Sequence, residues 1–238
     1  MEVILADYLG FCYGVKRAIH LARSSAQPGP ASTLGPIIHN PQMVSRLADE
    51  GVDAVDSLAE VPGGGTVIIR SHGVGPDVYD EAGERDLHIV DATCPHVKKA
   101  QMAAHQLFKD GREVVIIGEK KHPEVKSIFE WSGRNAVVVE TEEEAKELSP
   151  CDKLGIVAQT TFSGDKFRNI VNCLLEKSND IHIVRTICTA TDQRQKAAIE
   201  LAEKVDLMLV IGGKNSANTT RLAQLCAEKT VTHHLETA

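Results

Sequence analysis

Aromatic residues and long apolar runs are scarce in this sequence. Phe, Trp and Tyr make up 4% of the 238 residues, and there is one Trp. No stretch approaches the roughly 20 apolar residues that a membrane helix needs, and the N-terminus is too short and too acidic for a signal peptide. Basic residues are in the minority, with 26 Lys and Arg against 33 Asp and Glu. These absences predict a cytoplasmic protein that binds neither membrane nor nucleic acid, since nucleic-acid binding needs a basic surface.

Two common functional motifs are also missing. There is no Cys-x-x-Cys pair, which argues against a thioredoxin-type site or a zinc ribbon, and no Gly-x-x-x-x-Gly-Lys-Ser/Thr phosphate loop. What remains is an ordinary globular composition, 42% hydrophobic and 25% charged, in a chain long enough to bury a core without disulfides. Metal binding or catalysis therefore explains the six cysteines better than disulfides do.

Short apolar runs alternate with helix-like segments along the whole chain. This alternation predicts an α/β fold with mostly parallel sheets. We expect nine helices, from 15–23 to 219–228. The predicted strands are 2–6, 66–69, 88–90, 113–117, 136–139, 154–158, 182–184 and 207–211.

An internal repeat organises these elements. The segment CYGVKRA at residues 12–18 matches CPHVKKA at residues 94–100, and Cys188 follows the same plan more loosely. The cysteines are separated by about the length of a small α/β unit. The sequence therefore predicts three similar units around a pseudo-threefold axis, with one cysteine from each. The predicted domains are 10–94, 95–186, and a third unit formed by 1–9 with 187–238.

Three of the cysteines share a context that favours ligation. Cys12, Cys94 and Cys188 each lie just before a basic helix, where unpaired N–H groups and the helix dipole stabilise a thiolate. Three converging thiolates suit either an iron–sulfur cluster or zinc. The other cysteines lack this context and are interpreted as small core residues.

A second group of polar residues points to an anion pocket. His39, His72 and His122 lie in similar Gly- or Pro-flanked loops, and histidine can carry charge or relay a proton near pH 7. Glu124 can donate a proton if it is desolvated, or it is simply a first-turn helix glutamate. A loop from Gly212 to Thr220 offers glycines and a helix N-terminus to an anion, although an ordinary capped helix fits equally well.

Taken together, these motifs resemble the 4-hydroxy-3-methylbut-2-enyl diphosphate reductases of the LytB type, which act last in the non-mevalonate isoprenoid pathway. The resemblance implies an oxygen-sensitive 4Fe-4S enzyme in which one iron has no protein ligand. It also implies reductive removal of an allylic hydroxyl, giving isopentenyl and dimethylallyl diphosphate, with electrons from ferredoxin or flavodoxin. The motifs that carry it are residues 10–18, 34–41, 70–73, 91–95, 122–125, 159–161, 186–191 and 213–216.

The resemblance also implies roles for individual residues. The three cysteines would bind the cluster, and the three histidines would line the diphosphate pocket. Glu124 would be the proton donor and Thr160 would lie near the substrate hydroxyl. Ser216 and Asn218 would bind the diphosphate.

Two departures from the family pattern and two competing functions complete these expectations. Ala217 stands where many members have a second serine, and the third unit is expected to be incomplete at its C-terminal end. The enzymatic alternative resembles quinolinate synthase, whose substrates are carboxylates rather than diphosphates. The other alternative is a non-catalytic redox or iron sensor, or a structural zinc protein.

Overall fold

Parallel strands and helices alternate through the computed structural model, which describes residues 2–26 and 29–237. The helices are α1 Tyr13–Ser25, α2 Pro41–Asp49, α3 Pro76–Glu84, α4 Pro95–Lys109, α5 Pro123–Trp131, α6 Glu142–Glu147, α7 Gly164–Leu174, α8 Thr189–Ala202 and α9 Ala217–Ala227. The strands are β1 Ala31–Leu34, β2 Val52–Val55, β3 Thr66–Ile69, β4 His88–Asp91, β5 Glu113–Ile117, β6 Ala136–Val139, β7 Lys153–Ala158, β8 Asp180–Ile183, β9 Leu207–Ile211 and β10 Val231–Leu235. Two short 3-10 helices cover Leu58–Glu60 and Leu175–Lys177. The predicted α/β class with parallel sheets is therefore confirmed.

The strands form three separate sheets, and their strand orders show the internal repeat. The first sheet has the order β2-β1-β3-β4 and the second the order β6-β5-β7-β8, so the two share one topology. The third sheet pairs β10 with β9, which matches the first two strands of the others. All of these pairings are parallel. The exact domain boundaries stay a prediction.

The central strands of the first two sheets are buried on both faces. Val67, Ile68 and Ile69 of β3 have no exposed surface, and Ile116 and Ile117 of β5 have none either. Such continuous β-branched runs are typical of parallel strands covered by helices. In the third sheet, by contrast, alternate residues of β9 face solvent.

Prolines set where four helices begin. Pro41, Pro76, Pro95 and Pro123 each occupy the first position of a helix. Proline suits this position because its φ is already helical and the missing N–H would have no intrahelical partner. The residue before each proline becomes the N-cap, and for α4 and α5 that residue is Cys94 and His122.

The strand prediction for residues 2–6 is wrong. This segment has no regular secondary structure and belongs to no sheet of the described residues, and Val3 and Leu5 are 75% and 72% exposed. An apolar run becomes a strand only where a neighbouring strand accepts its backbone hydrogen bonds. The prediction also missed β1, β2 and β10, which are short and contain polar residues.

No helix among residues 2–26 and 29–237 combines the length and the apolar character that crossing a membrane would require.

Candidate functional site

The loops and helix starts that follow the carboxyl ends of the strands carry most of the candidate residues, and Cys12, which precedes the first strand, is the exception. His39 follows β1, His72 follows β3, and Cys94 follows β4. In the second unit, His122 follows β5, Thr160 follows β7 and Cys188 follows β8, while the glycine loop of the third unit follows β9. Carboxyl ends of parallel strands lie along one edge of a sheet, which is where open α/β sheets place their ligands.

The three predicted cysteines each occupy the N-cap position of a helix. Cys12 caps α1, Cys94 caps α4 and Cys188 caps α8, and all three are half-buried free thiols. Burial raises the pKa of the Cys94 thiol, and the neighbouring Cys12 and Cys188 raise it further. The first-turn N–H groups of His96 and Val97 oppose this shift by donating to the sulfur. Cys12 and Cys188 are therefore near enough to influence the Cys94 thiol, and their role as joint ligands of a cluster stays a prediction.

Gly14 allows the start of α1 to lie directly against the Cys94 thiol. A Cβ placed on Gly14 would collide with Cys94 Sγ, so the start of α1 approaches this sulfur more closely than any side chain would allow. Arg17, one turn further along α1, donates to the carbonyl oxygens of Thr93 at 3.1 Å and Asp91 at 3.2 Å. These contacts hold the Cys12 helix against the loop that carries Cys94.

The three predicted histidines form one cluster. The ring centroids of His39 and His72 are 4.3 Å apart, and His122 lies 5.4 Å and 5.5 Å from them. Within the described residues, this trio is the group of possible metal ligands whose donor atoms all lie within 4.8 Å of one another. Two of its ring nitrogens, Nε2 of His39 and Nδ1 of His72, are buried without a hydrogen-bond partner. Buried polar atoms normally have partners, so this pocket has the character of a binding site.

The imidazoles in this cluster favour the neutral form. Burial lowers the pKa of His122 to about 4 and the pKa of His72 well below its ordinary value, and the pKa of His39 is lowered for the same reason. The nearby charge of Arg70 lowers the pKa of all three further. Nδ1 of His122 accepts from the backbone N–H of Glu124 at 3.2 Å, which places the proton of the neutral ring on Nε2.

Glu124 is buried beside this cluster and bound to Thr160 through both carboxylate oxygens. Its Oε1 accepts from the Thr160 N–H at 2.6 Å, and its Oε2 accepts from the Thr160 hydroxyl at 2.9 Å. Burial raises the pKa of Glu124 to about 7, although the Thr160 hydrogen bonds lower it. A carboxyl with this pKa is poised to donate a proton near neutral pH, and the alternative of an ordinary solvated helix glutamate does not fit its 2% exposure.

Thr160 also connects this carboxyl with the cysteine site. Its carbonyl oxygen accepts from the Cys188 N–H at 2.9 Å and from the Thr191 hydroxyl at 3.2 Å. One residue therefore fixes the Glu124 carboxylate on one side and the start of α8 on the other. This geometry places Thr160 between Glu124 and the start of α8, and its position near the substrate hydroxyl stays a prediction.

The glycine loop of the third unit reaches the histidine cluster through its backbone. A Cβ on Gly213 would lie 3.1 Å from the carbonyl oxygen of His39 and 2.7 Å from Oδ1 of Asn215. Ser216 caps α9, accepting from the Thr219 N–H at 3.4 Å, and Asn218 lies half-buried in the first turn. Gly213 is thus the residue of this loop that packs against the backbone of His39. The Ser216 side chain caps α9 instead.

Two residues around the site have no role in the sequence-based predictions. Arg70 follows β3 directly and its Nε is buried without a partner, and Thr186 bonds to the backbone of Ala158 through its hydroxyl. Arg70 belongs to the motif at residues 70–73. Its position between a buried strand and His72 could have identified it as a residue of the pocket. Thr186 also belongs to one of the motifs, residues 186–191, but nothing in the sequence indicates that its hydroxyl bonds to Ala158 at the end of β7.

The fold and site together define a parallel-sheet α/β protein in which thiols, imidazoles and one buried carboxyl meet at strand ends, the arrangement of an enzyme active site. A family model described as LytB protein matches residues 3–238. The chain belongs to this family.

Curated relatives and solved structures agree with this assignment. A 4-hydroxy-3-methylbut-2-enyl diphosphate reductase of Geobacter metallireducens is 50% identical over 240 residues, which cover 100% of this chain and 85% of the relative. The corresponding reductase of Geobacter sp. (strain M21) is 48% identical with the same coverage.

Among solved structures, a reductase described as the terminal enzyme of the non-mevalonate pathway superposes with a TM-score of 0.77 at 42% identity, covering 98% of this chain and 85% of its own. The Plasmodium falciparum reductase gives a TM-score of 0.88 at 30% identity, covering 95% of this chain and 73% of its own.

Proposed function

We propose that this chain reduces 4-hydroxy-3-methylbut-2-enyl diphosphate to isopentenyl and dimethylallyl diphosphate at a 4Fe-4S cluster. The observation that carries the proposal is the buried Glu124–Thr160 pair, placed between the three-histidine cluster and the Cys188 helix. It combines a proton source with a candidate anion pocket and a candidate metal site.

The thiol donors fit an iron–sulfur cluster better than a single zinc ion. A tetrahedral zinc site with Zn–S bonds of about 2.3 Å places its sulfurs about 3.8 Å apart. Cys12, Cys94 and Cys188 do not meet even the 4.8 Å limit that the histidines satisfy among the described residues. A cluster distributes its cysteine ligands over several irons and so suits wider spacing.

When bound, the cluster would supply the electrons and a Lewis-acidic iron for cleavage of the allylic C–O bond. The net reaction consumes two electrons and two protons and releases water, with the electrons delivered from ferredoxin or flavodoxin.

The chain itself would bind the substrate and deliver a proton. His39, His72 and His122 would hold the diphosphate, together with Ser216 and Asn218. Because the pKa of Glu124 is about 7, roughly half of its carboxyl groups carry a proton at neutral pH. The Thr160 hydroxyl and N–H orient this carboxyl through bonds of 2.9 Å and 2.6 Å. Orientation of this kind lowers the barrier, since less rearrangement is needed in the transition state.

The first experiment is to measure iron and acid-labile sulfide after anaerobic purification, followed by turnover with a chemical reductant. About four of each per chain and reductive dehydroxylation of the diphosphate are the expected results. We expect Cys94→Ser to lose iron. Cys151→Ser should retain it, because Cys151 is a half-buried cysteine that packs against the hydrophobic core beside the second sheet. Zinc, or no metal after anaerobic reconstitution, would contradict the proposal and favour the structural alternative.

A competition assay separates the proposal from the quinolinate synthase-like alternative. Pyrophosphate should displace a bound diphosphate ligand, whereas dicarboxylates of similar size should not. Preferential binding of dicarboxylates would overturn the proposed substrate class.

A further inference from the structure

Arg70 is a charged residue of the pocket that the proposed chemistry leaves unused. It follows β3 and precedes His72 by two residues. Its Nη1 would lie 2.7 Å from a Cβ on Gly35, so the guanidinium packs against the turn that leads to His39. Gly35 has a φ of 70°, a conformation that glycine adopts without strain. The absence of a side chain at residue 35 therefore creates the space that Arg70 occupies.

The guanidinium of Arg70 lacks a close counterion. Its Nε is buried without a hydrogen-bond partner, and none of the ion pairs between residues 2–26 and 29–237 includes Arg70. The nearest compensation comes from Glu130 of α5, which partly offsets the lowering of the Arg70 pKa by burial. Because arginine does not lose its proton in proteins, the charge stays. A partly buried cation without a partner is costly unless an anion approaches it.

The same charge acts on every imidazole of the pocket. Of the cations in the described part of the chain, Arg70 alone influences all three rings. The pocket therefore combines three neutral imidazoles with one permanent positive charge. An anion with several negative charges satisfies both the unpaired guanidinium and the unpartnered ring nitrogens of His39 and His72.

We propose that Arg70 is a positioning residue of this pocket: its guanidinium, held against Gly35, supplies the permanent positive charge that draws a diphosphate onto the three imidazoles. This inference rests on the proposed function, because it assumes that the pocket binds the diphosphate.

The charge of Arg70 also affects how many protons the pocket takes up when it binds diphosphate. Diphosphate bound among the imidazoles favours their charged forms, so binding takes up protons from solution. Arg70 opposes this uptake, because a second positive charge nearby disfavours an imidazolium. The titratable and charged groups around each imidazole are the other two imidazoles, Arg70 with Glu130 near it, and the Glu124 carboxyl next to His122. Removing the arginine should therefore weaken binding most at high pH and increase the proton uptake.

The test is calorimetric titration of the full chain with inorganic pyrophosphate at pH 6 and pH 8, in buffers of different ionisation enthalpy. For Arg70→Gln we expect affinity to fall at least about tenfold at pH 8 and about threefold or less at pH 6, with more protons taken up per ligand. Arg70→Lys should stay within about threefold of the wild type at both pH values because it keeps the charge. Arg85→Gln, which removes an exposed arginine at the end of α3, is the matched control and should bind normally.

Several results would overturn the proposal. They are wild-type affinity of Arg70→Gln at pH 8, an equal loss at both pH values with unchanged proton uptake, or an Arg70→Lys variant as weak as the glutamine variant. If Arg70→Gln fails to fold, Glu130→Gln carries the test: it should bind pyrophosphate at least as tightly as the wild type, and weaker binding would contradict the role. Failure of the wild type itself to bind pyrophosphate would instead overturn the diphosphate pocket.

Discussion

At the scale of single residues, the protonation states of this site follow from burial more than from neighbouring charge. Desolvation is the largest cause of the raised pKa of Glu124 and of the lowered pKa of His122 and His72. Burial disfavours the charged form of any group, so it moves acids and bases in opposite directions. The same dry pocket therefore leaves the Glu124 carboxyl partly protonated and its neighbouring imidazoles neutral at around pH 7.

Substitution of the buried carboxyl should separate proton transfer from binding. We expect Glu124→Gln to lose at least about a hundredfold in turnover, since general acid catalysis contributes about 10²–10⁴-fold, while iron content and pyrophosphate affinity remain unchanged. The control is Glu147→Gln, at an exposed position of α6. Steady-state kinetics with a chemical reductant measure the effect, and normal turnover of Glu124→Gln would refute the proton-donor role.

The two buried groups should also make opposite contributions to stability across acidic pH. The pKa of His122 is 6.5 when unfolded and about 4 when folded, so its contribution is complete above pH 6.5 and is lost as pH falls. The pKa of Glu124 is 4.5 when unfolded and about 7 when folded, so its contribution is complete below pH 4.5 and is lost as pH rises. Between pH 5 and 6.5 the two effects partly cancel.

Removing one of the two groups should reveal the other. For His122→Asn, which keeps a side chain suited to an N-cap, the free energy of unfolding should fall more steeply with rising pH than in the wild type. The slope should change by at most about 1.4 kcal/mol per pH unit between pH 5 and 6.5. Urea unfolding at several pH values measures this slope. His20→Asn, at an exposed position of α1, should not change it, and an unchanged slope in His122→Asn would argue against a buried neutral imidazole.

At the scale of elements, the site depends on helices that begin at defined residues. Cys94 and His122 are N-caps because Pro95 and Pro123 follow them, and a strand ends a few residues earlier in each case. The repeat CxxVK, visible in the sequence, therefore predicted correctly that Cys12 and Cys94 lie at helix starts. The strand predictions were less complete, because β1 and β2 have only four residues each and include Ser32, Thr33 and Asp53. Parallel pairing of β1 with β3, and of β2 with β1, makes these segments strands, and pairing is not visible in a four-residue pattern.

The close approach of α1 to Cys94 can be tested with a single methyl group. We expect Gly14→Ala to reduce iron content severalfold while the protein stays folded, because the added Cβ would collide with Cys94 Sγ. Gly83→Ala is the matched control, since residue 83 also lies within a helix but has no atom within 4 Å of the new Cβ. Alanine there should leave iron content unchanged and stabilise α3 slightly. Equal iron in both variants would contradict the packing described here.

At the scale of the whole molecule, the site is assembled where loops of different sheets meet. The chain has a net charge of -7, so its overall charge does not attract an anionic substrate. The local pocket of Arg70, three imidazoles and the loop that contains Gly213 has to provide the attraction instead. This loop comes from the third sheet and contacts His39 of the first unit through its backbone.

The contact between the third unit and the first gives a prediction at this scale. Gly213→Ala would place a Cβ 3.1 Å from the His39 carbonyl oxygen and 2.7 Å from Asn215 Oδ1. The loop would have to move away from the histidine cluster, so we expect pyrophosphate affinity and kcat/KM to fall together by about tenfold. Gly63→Ala, where nothing lies within 4 Å, should have no effect. A selective change in kcat with normal affinity would argue against this role of the loop.

Much of this protein is determined by its sequence alone. Three of its features are local patterns: the alternation of strands and helices, the repeated cysteine context and the prolines at helix starts. Each depends only on residues that are neighbours in the chain, so a single sequence is enough to recognise it. The resemblance to the LytB family rests on such segments, and the family model confirms it.

Only the tertiary structure decided how these segments interact. Burial raises the pKa of Glu124, Thr160 connects its carboxylate to the Cys188 helix, and the charge of Arg70 acts on all three imidazoles. The tertiary structure also decided that residues 2–6 form no strand, because an apolar run becomes a strand only beside a neighbouring strand. Each of these features depends on desolvation or on contacts between residues far apart in the chain, and neither is encoded in any short stretch of sequence.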